Sequence, residues 1–252
     1  MNNTILKFWN SRAKSKKLPG SNDKYFYEYE KKYLTSLIKK NKQILDVGCG
    51  DGHLLNYISK HKSYNKSVGI DYSYDMIQKA KKRKMKNTDF YCIDMNNLNQ
   101  LHKITKTKFD FIITLRSIIN IKNRDKQRKI LNSFHQFLKP NGKILCCEPS
   151  EIANNKINFL RKKLSLTKIR APWHNLFIWD DHFINCQKLR LVKIHNFTGT
   201  YYFFSRIINA LVQKEKNKQP KNNDSLNFLG MKLNQNVFEK YSREKIYEFK
   251  IK

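Results

Sequence analysis

Between residues 44 and 55 the chain reads Ile44-Leu45-Asp46-Val47-Gly48-Cys49-Gly50-Asp51-Gly52-His53-Leu54-Leu55. A short apolar run passes through a glycine-rich turn into the opening of a helix. Gly48, Gly50 and Gly52 alternate, so the turn can take backbone angles closed to other residues and lie against a ligand with no Cβ between. The helix that follows presents free N–H groups to a polar or anionic group. Asp46 ends the strand as a carboxylate aimed into the same crevice. One glycine would read as an ordinary tight turn; three alternating ones behind an acidic strand end read as a binding loop.

The rest of the chain supplies the frame. Apolar runs at 43–47, 67–71, 89–94, 109–114 and 143–148 are separated by segments of helical spacing at 52–61, around 76–80, at 97–103 and at 125–138. That pace of alternation means a parallel, doubly wound α/β sheet. Lys139-Pro140-Asn141-Gly142 is a turn with both breakers. Ahead of the sheet, residues 3–10 predict a short helix anchored by Phe8 and Trp9. Ser21-Asn22-Asp23 then caps a helix over about 24–40. Beyond Pro149 the expected elements are a helix at 155–166, a loop at 171–175, a sixth strand at 189–195, a helix at 202–212 and a charged loop at 214–224. Residues 245–251 alternate polar and apolar, the pattern of an edge or antiparallel strand with one solvated face. The expected division is an N-terminal helical cap at 1–42, a binding core at 43–150, and at 151–252 acceptor-side helices and loops with the last two strands of the same domain.

With 252 residues, 40% of them hydrophobic, the chain suits one α/β domain with attachments. A net charge of +31 admits a nucleic acid or an anionic surface as partner. The lysines are dispersed along the chain, though, and Asn and Ile are heavily used beside them, which fits a solvated surface set by coding bias. Five cysteines in no framework spacing fit a reducing compartment. No CxxC pair or Cys/His cluster points to a metal. No stretch reads as a signal peptide or a membrane span, and a cytoplasmic location is expected.

In open α/β sheets ligands bind outside the carboxyl ends of the strands, near the switch in strand order. This gathers Asp46, Asp71, Asp94, the Thr114–Arg116 segment and Glu148 around one crevice. Asp71 is placed to grip ribose hydroxyls, with a helix cap as the plainer reading. Asp94 with Met95 suits an exocyclic amine and an aromatic base, with a turn aspartate as its rival. A nicotinamide dinucleotide site wants G-x-G-x-x-G, and His53 stands where its third glycine belongs. No G-K-[ST] follows, which excludes a P-loop.

Residues 44–55, Gly69-Ile70-Asp71, Cys92-Ile93-Asp94, the 109–114 strand and Leu138-Lys139-Pro140-Asn141-Gly142-Lys143-Ile144 together resemble the class I S-adenosylmethionine-dependent methyltransferases. The resemblance spans about residues 40–150. It implies a mostly parallel seven-stranded sheet with an antiparallel last strand, and S-adenosylmethionine as cofactor. It places Asp46 and the loop of Gly48, Cys49, Gly50 and Gly52 at the methionine portion, Asp71 and Tyr72 at the ribose, and Asp94 and Met95 at the adenine, with Leu115 a further cofactor contact. Arg12 is a looser inference, for the cofactor's carboxylate.

On the acceptor side, the [DN]-P-P-[YF] signature of amino-methylating nucleic-acid enzymes and the Pro-Cys pair of cytosine-C5 enzymes are both absent. Thr114–Asn120, Pro172-Trp173-His174-Asn175 and Thr200-Tyr201-Tyr202 instead resemble a small-molecule or glycan subgroup. The candidate acceptor contacts are Arg116, Asn120, Glu148, Asn175 and Tyr201, with Arg206 beside Tyr201. His174, in a Trp-flanked loop, is the candidate base. The reading is a methyltransferase acting on a hydroxyl or amine of a small-molecule, sugar or lipid-linked acceptor. An RNA methyltransferase using the basic surface, and a non-catalytic binding module on the same fold, are the alternatives.

Overall fold

The computed structural model describes residues 3–15, 22–233 and 237–252. The break at Leu18-Pro19-Gly20 and the capping role expected of Ser21 lie outside the described residues. Two helices, α1 (Asn3–Lys14) and α2 (Lys24–Ser36), precede the sheet. Asp23 caps α2, its carboxylate accepting from the Phe26 amide at 3.1 Å. The helix stops short of residue 40, and Asn41 turns the chain with φ 55°. Then β1 (Gln43–Val47), α3 (His53–His61), β2 (Lys66–Asp71), α4 (Tyr74–Lys81), β3 (Thr88–Cys92), α5 (Asn99–Ile104), β4 (Phe109–Leu115), α6 (Arg124–Ser133) and β5 (Leu138–Pro149) alternate as the sequence predicts. Beyond them lie α7 (Glu151–Lys163), α8 (Asp180–Ile184), β6 (Leu189–His195), α9 (Gly199–Phe203), α10 (Asn209–Glu215), α11 (Ser225–Lys232) and β7 (Glu244–Ile251).

Several boundaries differ from expectation for local reasons. α7 begins at Glu151 rather than 155 because Ser150 accepts from the Ala153 amide at 3.1 Å and caps it. β3 ends at Cys92, so Asp94 opens a 3₁₀ turn instead of closing the strand. The breaker turn at 139–142 is absorbed into β5, with a register shift opposite 109–111. The helix expected at 202–212 is the middle of α9 and α10, joined through a π turn at Phe204–Ile208. α8 and α11 carry no clear helical signal and were not expected.

Among the described residues seven strands form one sheet in the order β3-β2-β1-β4-β5-β7-β6. β1 to β5 run parallel, and β7 lies antiparallel between β5 and β6. The reversed last strand is as expected, but it is not an edge. Two of its polar residues, Lys245 and Glu248, are ion partners inside the fold rather than part of a solvated face. Glu248, for example, is clamped by Lys143 at 2.6 Å and His195 at 2.9 Å.

Side chains alternate between the two faces of the sheet. Leu45 and Ile112 pack on one face with Leu131 and Phe134 of the α6 region. Ile44 and Ile113 pack on the other with Leu55 and Ile58 of α3. A third cluster, Phe26, Ile157, Tyr201, Tyr202 and Ile207, joins α2 to the helices after β5. Strand order reverses where β1 meets β4, and the crevice at that switch is where this class of sheet binds ligands.

Candidate active site

At the carboxyl ends of β1, β2 and β4 a cleft encloses about 960 Å³ of empty space, its open mouth included. Asp46, Gly48, Cys49, Gly50, Asp71, Tyr72, Met95 and Leu115 line it. The glycine turn is shaped by crowding on one side and space on the other. Gly48 has φ +76°, and a Cβ there would stand 2.3 Å from Ser117 Cβ. Gly50 has φ +53°, and a Cβ there would meet nothing within 4 Å. The bare backbone of residue 50 therefore faces room for a ligand.

Asp46 is buried and its Oδ2 has no partner. Burial, reinforced by Asp71, pushes its carboxyl up to about 8. Asp71 braces the turn: Oδ2 accepts from the Gly50 amide at 2.9 Å and Oδ1 from the Ser73 amide at 2.8 Å. Burial raises it to about 6, with those two amides pulling it back. Each carboxylate oxygen can accept a second bond, so Asp71 retains capacity for a hydroxyl.

Three expected cofactor residues stand elsewhere. Gly52 is a packing glycine, since a Cβ there would lie 2.7 Å from the Phe90 ring. Asp94 accepts from the Asn96 amide at 2.8 Å and does not line the cleft; Met95 next to it does. Arg12 donates to Asn22 at 3.1 Å, and Trp9, one turn earlier on α1, reaches the cleft instead.

Arg116, Asn120, His174 and Asn175 all line the same cleft, whereas Glu148 and Tyr201 do not. Glu148 is fully buried and accepts from the Thr114 hydroxyl at 2.8 Å and the Ser117 and Ile118 amides at 3.1 and 3.0 Å. It pins the turn that carries residues 116–120. Tyr201 donates to Asp23 at 2.6 Å and Arg206 reaches the same carboxylate at 3.3 Å. Both secure the start of α2 rather than wall the acceptor pocket. Asn120 accepts from the Trp9 indole N–H at 3.0 Å and donates to the Arg116 and Ser117 carbonyls, each at 3.2 Å. It ties α1 to the end of β4.

Arg116 takes a left-handed backbone angle of 52° and binds Glu30 at 2.5 Å, deep beside Glu244. Burial pushes Glu30 and Glu244 upward, and the Arg116 charge pulls both back. Arg116→Met would remove the cation that acts most strongly on each of these two buried carboxyls, a loss of about 3–5 kcal/mol of stability. The remaining acids, held above their unfolded values, favour folding below the ordinary carboxylate range and disfavour it as pH climbs. Urea denaturation should therefore show the variant's deficit widening from pH 5 to pH 8.

His174 sits under an aromatic clasp. Its ring stacks on Phe8 at 4.4 Å, meets Trp9 edge-on at 5.6 Å and Trp173 at 5.3 Å. Nδ1 is buried with no partner. Burial, then the charges of Lys122 and Arg12, push its pKa down, so the ring is neutral at neutral pH. Lys122 donates to the Trp173 and Asn175 carbonyls at 2.7 and 2.9 Å and straps this loop down.

Trp9, Tyr27, Asp51, His53 and Ser117 also line the cleft, and sequence reasoning gave none of them a site role. Trp9 read only as an apolar anchor. His53 could have been found, since it stands in the glycine turn itself where a dinucleotide site has no side chain.

Residues 38–199 match the profile of the family described as Methyltransferase domain. Protein 235L of Invertebrate iridescent virus 6 is 35% identical over 112 residues, 44% of this chain and 38% of that protein. The ubiquinone biosynthesis O-methyltransferase of Coxiella burnetii is 30% identical over 141 residues, 54% of each chain. The match thus spans about half or less of these relatives' length. Among solved structures, the N-methyltransferase NodS of Bradyrhizobium japonicum, in complex with S-adenosyl-L-homocysteine, superposes with a TM-score of 0.58 over 99% of both chains at 10% identity. The chain belongs to the methyltransferase domain family, and its fold is that of the class I S-adenosylmethionine-dependent methyltransferases.

Proposed function

We propose that this chain moves a methyl group from S-adenosylmethionine to a hydroxyl or amine of a small-molecule, sugar or lipid-linked acceptor. The residues present fit the cofactor. The unpartnered Asp46 Oδ2 matches an ammonium, the open side of Gly50 leaves space for a chain against the turn, and Asp71 keeps lone pairs for ribose hydroxyls. Met95 and Leu115 offer apolar surface to a base. When bound, the cofactor supplies a methyl group on a sulfonium, displaced in line by the acceptor.

The protein's part is to align the partners and exclude water. α1 and the 172–175 loop meet over the cleft through Phe8, Trp9, Trp173 and His174. The observation that carries the acceptor reading is the neutral, unpartnered Nδ1 of His174 in that aromatic clasp. Such a nitrogen takes a proton from a hydroxyl or an ammonium. The Coxiella burnetii relative is by name an O-methyltransferase, which supports the hydroxyl.

The test is incubation with methyl-labelled S-adenosylmethionine and cell extract, fractionated by size and by nuclease treatment. Label in a nuclease-resistant small-molecule, glycan or lipid fraction is expected. Label confined to RNA would overturn the choice of acceptor, and no label with no cofactor affinity would leave only a binding module.

A further inference from the structure

The methyl-transfer reading gives no role to Asp51 and His53, which line the cleft with Tyr27. From α2, Lys31 approaches them with only 1% of its surface exposed. Its Nζ lies 2.8 Å from His53 Nε2 and 2.7 Å from Glu28 Oε1. It also lies over the Tyr27 ring at 4.2 Å and the Tyr57 ring at 4.9 Å, a cage that favours the cation. An ammonium can only donate. His53 Nε2 is therefore the acceptor, and a neutral ring carries its one proton on Nδ1. Burial, and then the Lys31 charge, push His53 down to about 4, so the ring stays neutral. The groups facing it are Lys31, Glu28 and Tyr27 from α2, Tyr57 from α3, Asp51 from the glycine turn and Arg83 beyond α4. With its basic nitrogen taken, His53 is no base; it offers the cleft a fixed N–H.

Asp51 offers the opposite. Arg83 holds its Oδ2 at 2.7 Å and its backbone carbonyl at 2.6 Å, while Oδ1 is buried with no partner. Tyr27 packs on the His53 ring at 5.0 Å and backs the pair. A ligand group that satisfies both has to accept one hydrogen bond and donate another. A carboxylate does not donate and an ammonium does not accept, whereas a hydroxyl does both. We propose that Asp51 and His53 form a hydroxyl-reading subsite for the methyl acceptor, with Lys31 as the positioning residue that fixes the His53 tautomer. This rests on the methyl-transfer reading and narrows it to acceptors that carry a second hydroxyl beside the reacting group.

The test uses isotope-labelled protein loaded with S-adenosylhomocysteine, read by imidazole nitrogen NMR. His53 is expected as the Nδ1–H tautomer from pH 5 to pH 8. Lys31→Met should give mixed tautomers and a His53 that titrates at higher pH. Added catechol or glucose should shift the wild-type Nδ1–H signal, and anisole or acetate should not. His53→Phe should weaken the hydroxylated probe by about tenfold and leave S-adenosylhomocysteine affinity within about twofold. An Nε2–H tautomer, or no response to either hydroxylated probe, would overturn the proposal. So would lost S-adenosylhomocysteine affinity in His53→Phe, since that assigns the wall to the cofactor. Wild-type protein that binds no S-adenosylhomocysteine would overturn the methyl-transfer reading instead, and the tautomer measurement would still decide the Lys31–His53 arrangement.

Discussion

Replacing Asp46 by asparagine is expected to weaken S-adenosylhomocysteine binding by about 100-fold at pH 8, measured by calorimetry. The reason is local. Asp46 Oδ2 is the buried, unpartnered carboxylate oxygen at the end of β1, and an amide in its place leaves an ammonium desolvated without a counter-charge. Such a loss costs about 3 kcal/mol, or about two decades in affinity. The pH dependence follows from burial and Asp71 holding the carboxyl near 8. Below that pH the ligand has to displace a proton, so wild-type affinity should rise by up to about tenfold per unit toward pH 8 and then level off. Asp46→Asn should stay flat. For ligand-free protein, a carboxyl raised from 3.8 to about 8 favours folding most at acid pH and progressively less up to pH 8. Thermal melts should therefore show the variant losing less stability than wild type between pH 5 and pH 8.

His174→Ala is expected to lower kcat by about 100-fold or more with S-adenosylhomocysteine affinity unchanged. The ring lines the cleft, and none of Asp46, Asp71, Met95 or Leu115 bonds to it. Its pKa lies below the ordinary 6.5, so wild-type kcat/KM should fall only on the acid side of that value, where the base is protonated. Lys122→Met removes one of the two charges that depress it and releases the strap on Trp173 and Asn175. The acid limb should then move to higher pH. A wild-type rate independent of residue 174 would leave alignment alone as the source of catalysis, which suits an acceptor with no proton to lose.

The parts of this protein legible in its sequence are those set by local pattern. Short apolar runs broken by helical spacing matched β1 to β4 to within two residues at each end, while β5 reaches five residues further back, to Leu138. The glycine turn was legible as a wall of the cleft, because positive φ at Gly48 and Gly50 is a property of residue type and position. Asp23 read as a cap because capping is a contact over three residues.

Misreadings came where polar residues are satisfied by partners far along the chain. β7 looked half-solvated because Glu244 and Glu248 gave no sign that Arg116, Lys143 and His195 would meet them in the interior. Glu148 and Tyr201 looked like cleft residues because sequence places them near strand and helix ends. In the fold their polar atoms close the 116–120 turn and the α2 cap. Trp9 joined the site, and Lys31 came to hold His53, only through packing across 111 and 22 residues. By itself the sequence determined the sheet, the glycine turn and the family of the fold, since these rest on neighbouring residues. The tertiary structure alone decided which charged groups are spent on each other and which are left facing the cleft, because that depends on which distant atoms share one dry space.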